Sequence, residues 1–308
     1  MVLNRLVRLF RSDDVAAVDD DDVFFKLVGQ EVGGLDSRAP AVVDRLVDAV
    51  RTGKLRTPLL PQRALELIAL TNARDVSFDA LARIAVSDPT VAMTVMRVAN
   101  SAAYASSSRA TDVKDALVRL GVDGVRQVAF EIAMSSRVAR RGRYLPVLDR
   151  IVRHGRTTSA LARILARDLS IAPGPAALAG LLHATGGLVI VDELAGVRDH
   201  PPGDVVAFVL VRRLHPWVGA QLVGQLGLSH DVVDALQHHH DTPLAEQPVL
   251  TRLLAFVDSI SPAEPAARVL PLAVALERSA LPLTERVVLH RLQPILSTVD
   301  DVRESLSR

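Results

Sequence analysis

The side chains able to do chemistry in this 308-residue chain are its histidines, which recur in a definite order: His154, His183, His215, the run His238-His239-His240, then Asp258. Imidazole and carboxylate are the groups that ligate metal ions and move protons near neutral pH. A lone helical histidine is most often a satisfied core or surface residue, so the ordered series is the signal and no single member is. The chain has no cysteine, which excludes disulfides, thiolate metal sites and a cysteine nucleophile, and fits a reducing compartment. It also has no GxxxxGK[ST] loop, no GxGxxG turn and no GxSxG elbow.

Three neighbouring features bear on the same chemistry. On a helix, His238, His239 and His240 stand about 100° apart, so at most one or two can face a common centre. His215-Pro216 reads as a helix start, with Trp217 as a packing anchor. Positive charge gathers at Arg137, Arg140, Arg141 and Arg143, and again at Arg150, Arg153 and Arg156, which recur every three residues beside His154. Such stripes are ordinarily solvated helix faces. The alternative is an anion-binding face, since arginine forks pair with phosphate oxygens.

The elements that must position these groups read as helices. Apolar residues make up 49% of the chain and aromatic ones only 3%, which favours small-residue helix packing over a β-sandwich. Periodic Val42, Val43, Leu46, Val47 and Val50 predict a helix before Thr52-Gly53. Ser77 is placed to cap FDALARIAV, Asp88-Pro89 to open the next helix with Val91, Val95, Met96 and Val98 as its apolar stripe, and Thr111 to cap DVKDALVRL. Gly121 is placed to end that helix in a left-handed conformation. No alternating strand and no solenoid-length repeat is found.

Lys plus Arg at 36 nearly balance Asp plus Glu at 35, so charge gives no argument for nucleic acid. The helix after Pro89 begins TVAMTVM, which offers little for reading base edges. MVLNRLVRLFRSDD lacks the apolar core of a secretory signal; Leu3, Leu6, Val7 and Phe10 give it the pattern of an amphipathic docking helix, and Asp13, Asp14 and Asp19 to Asp22 read as a solvated acidic loop. Residues 169–191 carry no Lys, Arg, Asp or Glu. Their Pro173, Gly174, Pro175, His183 and Gly186-Gly187 point to a loop followed by a buried helix, not a membrane span. A cytoplasmic location is expected.

In the order His154, His183, Asp258 the chain resembles the HD superfamily, whose metal ligands are a first His, a His-Asp dipeptide and a distant Asp. It resembles the HDOD branch more specifically, through LLPQRALELIAL, SDPTVAMTVMRVANSAAY, TDVKDALVRLGVDGVRQVAF, GLLHATG, HPWVGAQL and VVDALQHHHD in family order. The resemblance implies an all-α fold, an N-terminal helical bundle packed on an HD-like helical bundle. Residues 56–265 would form the HDOD domain, with halves 56–144 and 145–265, after a partly helical or disordered lead-in 1–55 and before a C-terminal helical extension 266–308.

One departure bears on function. Ala184 stands where the HD pattern has its aspartate, the carboxylate that holds or bridges the metals which activate water. Gly155 replaces a common Ser after His154. By the resemblance, His154, His183, Ala184, Asp258, His215, His239 and His240 form a degenerate pocket. His239 and His240 align with the family's pair, and histidines there and at His215 complete a larger site in relatives with extra metals. The expectation is a non-catalytic bacterial signal-transduction protein without a cofactor, acting on a protein partner, with no nucleic-acid partner. Two alternatives stay open: a residual phosphohydrolase holding one divalent ion on His154, His183 and Asp258, and a nucleotide-binding sensor using Arg150, Arg153 and Arg156.

Overall fold

Several helices start where a short polar side chain takes up an orphan amide. The computed structural model describes residues 21–52, 54, 61–71, 75–104, 108–138, 143–197, 201–224, 228–241, 243–261 and 270–293. Its helices are α1 (Asp21–Gly33), α2 (Ala39–Arg51), α3 (Gln62–Thr71), α4 (Phe78–Val86), α5 (Pro89–Ala99), α6 (Val113–Val138), α7 (Leu145–Ala166), α8 (Pro173–Leu182), α9 (Thr185–Ala195), α10 (Asp204–Gly224), α11 (His230–His238), α12 (Val249–Ile260), α13 (Leu272–Ser279) and α14 (Glu285–Leu292). No strand occurs among the described residues.

Ser77 Oγ accepts the Ala80 amide at 3.2 Å, and Asp88 Oδ1 accepts those of Thr90 and Val91 at 2.8 and 3.4 Å. Both caps are as expected, and Val91, Val95 and Val98 are buried. The cap of α6 is one residue later than expected: Asp112, not Thr111, takes the Asp115 amide at 2.8 Å. Gly121 ends the first helix as expected, at a positive φ of 66°, though its ψ of 178° lies outside the left-handed helical region in a conformation open essentially to glycine alone; a second helix follows at once, so α6 is two helices joined at a kink.

Two further expectations change. His215-Pro216 lies inside α10 instead of opening it; proline removes one helical bond, and the burial of Val211, Leu214 and Val218 around it keeps the helix running. The apolar stretch 169–191 contributes to two helices rather than a loop and one. Pro173 and Pro175 sit in the first turn of α8, where a missing N–H costs nothing. An 18-residue apolar window within Pro173–Ala195 is 89% buried inside the protein. Asp21 and Asp22 belong to α1, whereas residues 1–20, with the docking-helix pattern and the remaining aspartates, lie outside the described residues.

The N-terminal bundle gathers α3, α4 and α5 around α6, and α6 in turn meets α7, α8 and α9 of the second bundle. Asn100 ties the end of α5 to the next loop, donating to the Ala110 carbonyl at 3.1 Å and accepting its amide at 2.8 Å. Across the junction Glu131 of α6 is buried and binds Arg97 of α5 and, at 2.7 Å, Arg156 of α7. Tyr104 donates to Gln127 at 2.7 Å, with the Arg163 guanidinium 3.6 Å over its ring.

In the second bundle helices touch backbone to backbone. A Cβ on Gly180 would lie 2.6 Å from the Thr158 carbonyl oxygen, and one on Gly186 would lie 2.3 Å from that of His215. Glycine at these two positions therefore sets the approach of α8 to α7 and of α9 to α10. Thr158 and Ser159 fasten the first contact by donating to the Gly180 and Ala177 carbonyls at 2.6 and 2.7 Å. Helices α1 and α2 lie against α10.

Candidate functional site

Histidines scattered over 87 residues of sequence, 154 to 240, converge because five structural elements end or cross at one place. His154 projects from the middle of α7, His183 follows the last turn of α8, His215 comes from α10, His239 and His240 form the turn after α11, and Asp258 lies near the end of α12. His154 Nε2 is 2.7 Å from His183 Nε2 and 3.0 Å from Asp258 Oδ1, and His183 Nε2 is 3.6 Å from the same oxygen. On the other side His215 Nε2 is 3.3 Å from His239 Nε2, and His240 Nε2 is 3.0 Å from Asp258 Oδ2. Two groups result, His154–His183–Asp258 and His215–His239–His240, each with its ligand atoms within 4.8 Å of one another.

Backbone carbonyls fix the tautomers. His183 Nδ1 meets the Gly180 carbonyl at 2.7 Å, His215 Nδ1 that of Val211 at 2.8 Å, and His239 Nδ1 that of Leu236 at 2.8 Å. A carbonyl only accepts, so in each ring Nδ1 carries the proton and the neutral imidazole turns a lone pair on Nε2 toward the pocket. Burial first, then the charge of His240, holds His215 and His239 well below the ordinary imidazole value. His183 is lowered by burial, with Asp258 opposing. Burial alone would raise the Asp258 carboxyl; the bonds from His154 and His240 overcome it and hold the group well below the usual carboxylate range.

This donor set fits a divalent cation. His215 and His239 face each other with two lone pairs and no proton between them, an arrangement that a cation relieves. The Nδ1–H to carbonyl bonds are those that orient ligating imidazoles in metal sites. His154 Nδ1 is buried without a hydrogen-bond partner, so Nε2 is the protonated atom of the ion-free ring. Imidazole-rich sites with one carboxylate suit zinc or iron.

The pocket does not use all the residues singled out. His238 turns away and bonds the Asp234 carbonyl; α11 stops there, so His239 and His240 reach the centre from a turn and not from a helix face. Arg153 pairs with Asp149 at 2.7 Å and Arg156 with Glu131, so neither shares a site with the other. The Nε of Arg150 is buried without a hydrogen-bond partner. Arg143 lies 6.0 Å from the Tyr144 ring, while the side chains of Arg137, Arg140 and Arg141 are outside the described residues. Ala184 is buried, with its methyl 3.5 Å from where a Cβ on Gly155 of α7 would stand, so a methyl group beside α7 occupies the place of the expected carboxylate. Glu131 was not among the residues singled out; a lone glutamate in the apolar run VAFEIAM was its signal.

The HDOD domain family matches residues 57–242. The chain belongs to the HDOD family. An uncharacterised protein of Treponema pallidum is 23% identical to this HDOD chain over 225 residues, 68% of the chain and 41% of that protein. The chain thus spans about two fifths of the length of that relative. In fold it is similar to an inferred metal-dependent phosphohydrolase from Shewanella amazonensis, at 17% identity and TM-score 0.66, covering 87% of this chain and 99% of that one. It is also similar to an HDOD domain protein from Geobacter sulfurreducens, at 20% identity and TM-score 0.57, covering 88% and 99%.

Proposed function

We propose that this HDOD chain is a non-catalytic, cytoplasmic signal-transduction module that acts on a protein partner, and that its histidine pocket holds divalent metal as part of the working fold. Family membership supports the regulatory role. The observation that carries the rest is the pairing of a convergent donor set with a methyl group at Ala184. His154, His183 and Asp258 would hold an ion on one side, and His215, His239 and His240 offer donors on the other. When bound, such an ion supplies Lewis acidity and lowers the pKa of coordinated water. In a hydrolase of this pattern the aspartate after the second histidine takes part in that work, and Ala184 has no atom with which to do so. By this reading the residues present hold, orient and neutralise an ion. The facing lone pairs favour bound metal over the metal-free alternative expected from sequence.

Elemental analysis of protein purified without a tag or chelator tests this, beside turnover assays on phosphodiesters and nucleotides. Stoichiometric zinc, iron or manganese that is lost in His183→Ala, with no turnover, is the expected result. Turnover abolished by His183→Ala would overturn the non-catalytic reading, and absence of metal would overturn the metal reading. The residual-hydrolase alternative rests on the intact His154–His183–Asp258 group. It predicts that Ala184→Asp gains activity.

A further inference from the structure

We infer that Asp258 replaces the missing aspartate as the bridge of a two-ion centre, one oxygen serving each histidine group. The inference rests on the metal reading above and goes beyond the single ion considered there. Among the described residues Asp258 is the one carboxylate in either group of candidate ligands. Its two oxygens are divided between them: Oδ1 faces His154 and His183 at 3.0 and 3.6 Å, and Oδ2 faces His240 at 3.0 Å. The His240 ring stands 5.1 Å from that of His215 and 4.3 Å from that of His239, so the partner of Oδ2 belongs to the second group. A carboxylate with one oxygen toward each of two imidazole groups is placed to bridge two ions.

Position 184 explains why the task falls to Asp258. Ala184 is buried beside Gly155 of α7 and offers no side-chain oxygen. Each group nevertheless has three donors without it, His154, His183 and Asp258 in the first and His215, His239 and His240 in the second, to which the other Asp258 oxygen adds a fourth. Three donors are enough to hold an imidazole-bound ion with positions left open.

Titration of the metal-stripped full chain with Mn²⁺, followed by electron paramagnetic resonance, tests this without any variant. The expected result is two equivalents bound per chain, with the second giving a spin-coupled spectrum. In variants checked for fold by circular dichroism, His239→Ala should keep one equivalent and lose the coupling, while Asp258→Ala should lose both equivalents or retain them uncoupled and at least tenfold weaker. One equivalent in the unaltered chain, or two without coupling, overturns the bridge and leaves the metal reading standing. No bound Mn²⁺, Zn²⁺ or Fe²⁺ at all overturns both.

Discussion

The rings of Phe25 and Trp217 meet at a centroid distance of 4.4 Å and an angle of 53°, two residues from a histidine of the pocket. Glu31 and Arg213 add an ion pair at 3.3 Å, two residues to the other side of His215. Helix α1 therefore clasps the turn of α10 that presents His215. Trp217 is the only tryptophan in the chain, so its emission reports this contact directly. Phe25→Ala should red-shift that emission and cost about 3–5 kcal/mol in a urea melt, as for other buried Phe truncations. Unchanged emission would show that α1 is not docked there in solution.

Gly186→Ala tests the approach of α9 to α10. The added methyl would meet the His215 carbonyl oxygen and the Gly219 amide, both backbone atoms that cannot swing aside. A destabilisation of about 1–3 kcal/mol or more is expected, together with weaker metal binding by the His215 side of the pocket. The melting temperature and the Mn²⁺ isotherm measure the two effects. A variant as stable as the parent would place the helices farther apart than described.

The Arg97–Glu131–Arg156 cluster makes an asymmetric prediction. Glu131 is buried while the two arginines are about half exposed. Either arginine alone can be removed at a cost of about 1 kcal/mol or less, because its partner remains and water screens the pair. Removing both takes two cations from a buried carboxylate, and the double variant Arg97→Ala/Arg156→Ala should lose more than the two single variants together and more than Glu131→Gln. Denaturant melts of the four variants give the order; equal losses would contradict it.

Both tyrosines titrate late. Burial pushes Tyr104 up to about 12 despite the opposing charge of Arg163, and burial also raises Tyr144. A phenol whose folded value exceeds its unfolded value of about 10 contributes stability that is complete below pH about 10 and is lost as pH rises through the folded value. Phenolate absorbance of the folded protein should therefore be small at pH about 10, half-developed for Tyr104 only near 12, and ordinary in denaturant. A folded midpoint near 10 would mean that Tyr104 is open to water.

Much of the fold was legible because its signals are local. Ser77 and Asp88 cap within three residues of themselves, and a pattern such as Val91–Val95–Val98 needs only its own helix to be recognised. Where two capping residues adjoin, as at Thr111 and Asp112, sequence gives no reason to choose between them. Pro216 misled because a proline is tolerated inside a helix only when surrounding packing compensates, and that packing is not local. The pocket was legible as a list and not as a shape. The turn that brings His239 and His240 inward, the division of Asp258 between two groups, and the glycine contacts at Gly180 and Gly186 all depend on partners tens of residues away.

The pocket joins His154 to Asp258, positions about 100 residues apart, in a chain that has no cysteine. A covalent link closing a loop of that length restricts the unfolded chain by about 4.7 kcal/mol on chain-entropy grounds. An ion seated among these side chains ties the same span, and the tie is reversible, set by the supply of metal rather than by oxidation. On the metal reading proposed above, a bound ion would add to the apolar packing that holds the last helices of the second bundle, and metal supply would then bear on how long the folded protein lasts.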